Sequence, residues 1–527
     1  MKNLHRTASL AVALAMFTAL TPALAENAAT VGGVSFVNKG LVGVGRIPAS
    51  QKDKFGETFG SGSGMSIDAA GWTRGADGYK GSLWLLPDRG YNVVGTTDYR
   101  PRLNTIALEF APIAPGAAPA TGQEQSGLTA TLADTMLLTD DKGTDATGLD
   151  PLNGVRAATD DMPILPEANG KLALDDEAIA RLPDGTMFIS DEYGPNIYRF
   201  SADGRLMSAT QPPAALVPMR HGTPNFASNN PGPGAADPDP KDPETGRQNN
   251  QGLEGMALTP DDKFLIAVLQ SAPRQDGGDS ASTRQNTRAL VYDASDPGQL
   301  KLAHEYVVPL PVFTDAKGKT KIAAQSEIVA LSDKTFLMLA RDSGNGQGLK
   351  GDTSLHREIS VVDVSAATDI AGTEFDKDKP LAPKGELDPS VTPAKLTPFI
   401  DINDKSELGR FGLHNGAPND RNNLSEKWEA MSVVSVLDPK LPDDYFLFVA
   451  NDNDFLTQDG FQVGAAYKAE DGADVDTMFL VYQVTLPGLA KKQRHPLRRT
   501  RGTRPPELAR LSGRALQLRL ARARTVS

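Results

Sequence analysis

The sequence predicts an all-β chain folded as a β-propeller of six blades, with seven as the alternative. Three observations carry this expectation. One hairpin unit recurs along the chain, and amphipathic helices of three or more turns are scarce. The 50 Gly and 38 Pro among 527 residues supply turns at short intervals. A two-sheet sandwich is the competing all-β arrangement, but it has no need of repeated hairpins of one type.

The units follow in order. A degenerate copy, Ser63-Gly-Met-Ser-Ile-Asp68, precedes an insertion and the apolar run Leu83-Trp-Leu-Leu86 that ends in Pro87-Asp88-Arg89-Gly90. The clearest copy starts at Glu177-Ala-Ile-Ala, turns at Pro183-Asp184-Gly185, and runs through Met187-Phe-Ile-Ser to Asp191 and Glu192. Further copies start at Glu254 and Glu327, the latter ending in Arg341-Asp342. The last starts at Glu429 and, after a longer turn over 437–444, ends in Asn451-Asp452-Asn453-Asp454. Pro-Asp-Gly, Pro-Asp-Asp and Ser-Asp-Lys are turn formers, so each unit reads as two apolar strands joined by a tight connection. Further strands are expected at 196–200, 288–293, 358–363 and 478–484. Val34–Arg46 is expected to add a closing strand, and five units plus this segment make six blades. Polar Gly/Pro stretches at 112–129, 223–250 and 373–395 read as long surface loops, the second a candidate lid.

The ends read differently from the middle. Lys2, His5 and Arg6, the apolar run Ala8–Leu20 and Ala23-Leu24-Ala25 form the pattern of a secretory signal cleaved after Ala25. The run is too short to span a bilayer, which takes roughly 20 helical residues, although an N-terminal anchor is the alternative. Residues 488–527 are expected to be a basic, disordered tail, with two Lys and ten Arg against one acid after Leu489. The net charge of −12 is therefore concentrated as acid in the rest of the chain, which disfavours nucleic acid and favours cations. Absence of cysteine excludes disulfides, thiolate metal sites and a cysteine nucleophile. No nucleophile elbow, zinc-protease helix motif or phosphate-binding loop is present.

The recurring acids carry the chemistry. If the first strand of each unit lines a channel, Glu177, Glu254, Glu327 and Glu429 meet near one axis. Carboxylates so placed need compensating cations or raised pKa values. A hard divalent ion such as Ca²⁺, which accepts about six to eight oxygen ligands, answers that need. These four glutamates and Asp452 are the expected metal ligands. Asp191, Glu192 and Asp342 are expected to complete the shell or orient water, while Arg89 and Arg341 meet a phosphate. Structural use of the same acids, as turn caps or ion-pair partners, is the alternative for each.

The stretch Asp176-Glu177 to Asp191-Glu192-Tyr-Gly-Pro-Asn resembles the phytase-like family, also described as the esterase-like activity of phytase. Asn250-Gln-Gly-Leu-Glu254, Ser326-Glu327, Lys427-Trp-Glu429, Gly62-Ser-Gly64 and Pro87-Asp88-Arg89-Gly90 resemble it too, across residues 55–487. The resemblance implies an exported bacterial protein with a propeller-like fold whose acids carry phosphodiesterase or phytase-like activity. Ser63 departs from the pattern, standing where other units have Glu. The leading expectation is a periplasmic or secreted, Ca²⁺-dependent phosphoric ester hydrolase, acting as a monomer on a small anionic or phosphorylated substrate. A non-catalytic binding propeller and a lactonase-like hydrolase are the alternatives.

Overall fold

A computed structural model describes residues 27–489 except 343, 345, 349 and 350. All belong to the first of two compact units, Met1–Gln493; the second, Arg494–Ser527, is not described. The expected signal segment and nearly all of the basic tail therefore lie outside the described residues.

The fold is all-β, and its one α-helix among the described residues is the single short segment Lys405–Arg410. Five antiparallel sheets dominate. Sheet one runs Gly64–Ile67, Tyr79–Leu86, Arg102–Phe110, Leu128–Leu137, with Thr73–Arg74 on an edge. Sheet two is Asp176–Arg181, Met187–Asp191, Ile197–Phe200, Leu206–Thr210. Sheet three is Leu253–Leu258, Phe264–Leu269, Asn286–Asp293, Lys301–Pro309. Sheet four is Ala324–Ala330, Thr335–Arg341, Arg357–Asp363, Lys395–Asp401. In sheet five, Trp428–Ser435, Asp444–Asn451 and Thr477–Thr485 are followed by Val34–Ile47 and Asn27–Val31 from the other end of the described chain. Among the described residues no helix is long and apolar enough to cross a membrane.

Six blades were expected, and five sheets of this size are found among the described residues. The difference lies in Val34–Ile47, which hydrogen-bonds to Thr477–Thr485 and so extends the last sheet instead of founding another.

The first strands of the five sheets are side-by-side neighbours in the cyclic order one, two, three, four, five, one. Five apolar cores match this cycle, each shared by two adjacent sheets. Because both faces of a sheet are buried, its strands read as unbroken apolar runs and not as polar alternation. The strand Asp444–Asn451 shows this. Tyr445, Leu447 and Val449 enter the core shared with sheet four, while Phe446, Phe448 and Ala450 enter the core shared with sheet one.

Two glycines let the first strands approach. A Cβ on Gly64 would stand 2.1 Å from the Glu177 carbonyl oxygen of sheet two. One on Gly255 would stand 3.0 Å from Glu327 Cα of sheet four. Gly64-Met and Glu254-Gly-Met are thus packing requirements of the inner ring.

The long loops are tied down. In 223–250, the buried Arg247 guanidinium donates to the carbonyls of Tyr193, Phe226, Ala227 and Gln248, and Asp150 accepts from the Ser228 and Asn230 amides.

The closing strand is hydrogen-bonded to Thr477–Thr485, and its Leu41 is fully buried in the core between sheets four and five. Leu41→Ala is expected to lower stability by about 2–5 kcal/mol, the usual cost of such a cavity, measured by urea denaturation with the denaturant slope unchanged.

Candidate metal and phosphate site

Beside each recurring glutamate the strand pairing slips by one residue. Asp176 faces Asp191 while Ile179 faces Ile189, and Leu253 faces Leu269 while Gly255 faces Val268. Gln325 faces Ala340 while Glu327 faces Leu339, and Trp428 faces Asn451 while Ala430 faces Ala450. In sheet one the Gly62 and Ser63 amides both donate to the Leu86 carbonyl, so Ser63 occupies the equivalent irregularity. A bulge of this kind re-aims a side chain and ends regular pairing, which is why it accompanies the acid in the four glutamate copies.

The bulges and strand ends gather carboxyls into two trios. Asp175, Glu177 and Glu192, all buried, each offer a carboxylate oxygen, and these atoms lie within 4.8 Å of one another. Asp175 Oδ2 accepts from Arg89 Nη1 at 2.5 Å, and the same nitrogen reaches Ser228 Oγ at 3.3 Å. The Arg89 guanidinium lies 5.8 Å from the centre of the Tyr193 ring. Glu254 joins this group from sheet three. Its Oε1 accepts from Gln270 Nε2 at 2.7 Å, and its charge helps to raise the pKa of Glu177. Asp175 Oδ1, Glu192 Oε1 and Glu254 Oε2 are buried and have no hydrogen-bond partner among protein atoms.

The second trio is Asp88, Asp452 and Asp454, again with oxygens within 4.8 Å. Lys427 Nζ stands among them, 2.6 Å from Asp454 Oδ1, 3.2 Å from Asp452 Oδ2 and 4.0 Å from Asp88 Oδ2.

Electrostatics follow from burial. Desolvation, reinforced by neighbouring carboxyls, pushes Glu177 and Glu254 well above the ordinary glutamate range. Burial pushes Asp175 up to about 7 despite the opposing charge of Arg89, and Asp88 up to about 7 despite Lys427.

The structure divides the expected residues. Glu177, Glu192 and Arg89 lie together, with Glu254 beside them. Glu327 does not join them: its Oε1 accepts from the amides of Ile328 at 2.8 Å and Met256 at 3.1 Å, so it braces sheet three against sheet four. Asp191 is spent on its loop, accepting from the Asp175 amide at 2.9 Å and the Gly194 amide at 2.6 Å. Asp342 likewise accepts from Ser354 Oγ and the Leu355 amide. Glu429 and Arg341 pair with each other, and Arg341 also reaches Glu426 and Ser326 Oγ. Asp452 belongs to the second trio and not to the first.

Two residues escaped the sequence reading. Asp175 opens the run Asp175-Asp176-Glu177, an unusual density of acid before an apolar strand. Lys427 precedes a glutamate already singled out, and a base beside an inner-strand acid was the available signal.

Residues 58–455 match the phytase-like family, described as the esterase-like activity of phytase. The chain belongs to this family. A protein of the fungus Arthroderma benhamiae named an uncharacterized secreted protein is 39% identical over 459 residues, 81% of this chain and 89% of that protein. Among solved structures, the Malassezia sympodialis allergen Mala s 1 shows 12% identity over 80% of this chain and 77% of that one, at a TM-score of 0.28. Hydrazine synthase of Kuenenia stuttgartiensis shows 11% identity over 72% of this chain and 76% of that one, at a TM-score of 0.25. Neither likeness bears on the chemistry of this phytase-like chain.

Two outcomes follow from the geometry. Glu327→Ala strips two buried amides of their acceptor and is expected to cost about 1–3 kcal/mol per unpaired group, whereas Glu327→Gln retains an acceptor and most of the stability; chemical denaturation of both variants checks this.

The second outcome concerns pH. Asp88 and Asp175 titrate near 7 when folded but near about 4 when unfolded, so without a divalent cation the folded chain holds more protons between these values. Their contribution to stability is therefore full below about pH 4 and is lost as pH rises through about 7. A bound cation stabilises the ionised form. Added Ca²⁺ is expected to raise the melting temperature more at pH 8 than at pH 5.5, relative to chelator; equal shifts at both pH values would contradict the assignment.

Proposed function

We propose that this phytase-like chain is an exported, divalent-cation-dependent phosphoric ester hydrolase on a five-bladed propeller. The observation that carries the reading is the Asp175–Glu177–Glu192 trio, with unpartnered buried oxygens, beside the Arg89 guanidinium. An acceptor-only set of this kind fits a hard cation such as Ca²⁺ and suits neither a soft metal nor an organic cofactor. Asp175, Glu177 and Glu192 would hold the ion. When bound, it would polarise a phosphoryl oxygen and acidify water.

The remaining work falls to the chain itself. Glu254, whose carboxyl is pushed well above the ordinary glutamate range by burial and neighbouring acids, is placed to act as the general acid that gives a proton to the leaving oxygen. Arg89 has an unpartnered Nε and neutralises charge developing on phosphate. Arg341, held by Glu429 and Glu426, offsets part of the charge of those two carboxylates. Ser228 of the 223–250 loop accepts from Arg89 Nη1 and steadies the guanidinium beside the trio.

Burial of the trio also favours a second reading, a binding propeller in which the cation only ties sheets together. Export rests on the signal-like first 25 residues and on the secreted relative.

Hydrolysis of a generic phosphodiester separates the readings. Chelation and Glu177→Gln are each expected to lower the rate at least 100-fold, with the near-ultraviolet circular dichroism of the variant unchanged. Hydrolysis that persists after metal removal would overturn the metal role, and a folded wild-type chain with no turnover on phosphate esters favours the binding propeller.

A further inference from the structure

The two trios have the same size and the same ligand chemistry, yet their oxygens are satisfied differently. In the second trio each aspartate is engaged. Asp88 Oδ1 accepts from the Gly90 amide at 3.0 Å, and Asp452 Oδ1 accepts from the Asp454 amide at 3.0 Å. The oxygens turned inward, Asp88 Oδ2, Asp452 Oδ2 and Asp454 Oδ1, converge on Lys427 Nζ. None of these three aspartates has a buried oxygen without a partner. Among the described residues, the direct cationic partner of the first trio is Arg89, bound to one oxygen of Asp175, while oxygens of Asp175, Glu192 and neighbouring Glu254 face no donor.

We infer that Lys427 is the built-in cation of the Asp88–Asp452–Asp454 cage, so that the chain takes one divalent ion, at the first trio, and not two. This rests on the reading of the first trio as a metal site.

The physical argument is one of occupancy. A lysine ammonium is a compact charge with three donors, and three carboxylate oxygens within 4.8 Å of each other are the right complement for it. A divalent ion in the same cage would need oxygens at about 2.3–2.6 Å, which places it against Nζ. Like charges so close, in a cage whose carboxylates are buried or half-buried, exclude one another. Lys427 is also fixed in place. The next residue, Trp428, is fully buried and donates through Nε1 to the Ser425 carbonyl, and the bulge at Glu429 follows directly. Arg89 cannot act in the same way at the first trio, because its planar guanidinium contacts that trio from one side through Asp175.

Removing the ammonium while keeping the aspartates should therefore open a second cation site. The test is Ca²⁺ stoichiometry by equilibrium dialysis on the intact chain. The wild type is expected to bind one ion, Lys427→Met two, and Lys427→Met with Asp452→Asn one again. Asp454→Asn alone, a milder change, is expected to leave the wild-type value at one. A wild type that binds two ions, with Asp454→Asn reducing it to one, would overturn the inference. So would a folded Lys427→Met chain that still binds one ion. A wild type that binds none while Lys427→Met binds one would leave the lysine assignment standing and remove the first-trio reading.

Discussion

Burial of like charge is the constraint on which this structure turns. Asp88, Asp175, Glu177, Glu192, Glu254, Glu429, Asp452 and Asp454 crowd the inner strand ends of four sheets, opposed there by Arg89, Arg341 and Lys427 and, near Glu192, by Arg247. Each carboxyl must therefore find an amide, a base, a proton or a metal ion. Asp191 and Glu327 find amides, Glu429 finds Arg341, and the aspartate trio finds Lys427. What is left over includes Asp175, Asp176, Glu192 and Glu254, each with a buried oxygen lacking a partner, together with Glu177, beside Arg89. A site arises where compensation stops short.

The ring architecture makes this crowding possible. Five shared cores press the sheets together from both faces, and their first strands meet where glycine backbones permit close approach. A register slip beside each recurring acid then interrupts the regular ladder at the same level of every sheet. Apolar packing outside the ring offsets the electrostatic cost inside it. The same division explains why the chain tolerates so many buried acids without a disulfide.

Much of the local structure was legible. Pro183-Asp184-Gly185 forms its turn, with the Thr186 amide donating to Asp184, and the apolar run after it is the strand Met187–Asp191. The recurrence of glutamate at one position marked the inner strands. It did not distinguish Glu177, in the trio, from Glu327, whose carboxyl turns to the neighbouring backbone. Asp191 and Glu192 are adjacent in the chain, yet one caps a loop and the other faces the cluster. Blade count failed for a related reason: a strand can be recognised from its own residues, but its sheet depends on a partner over 400 residues away.

The sequence by itself determined the repeated hairpin, the all-β class, the acidic character of the interior and most of the acids concerned. Turn chemistry and apolar runs act over a few residues, so they can be read in order. Only the tertiary structure decided which acids share a site and which cation each one meets. Those outcomes depend on distances of a few ångströms between residues far apart in the chain, and Coulomb energy follows distance and burial, not residue type.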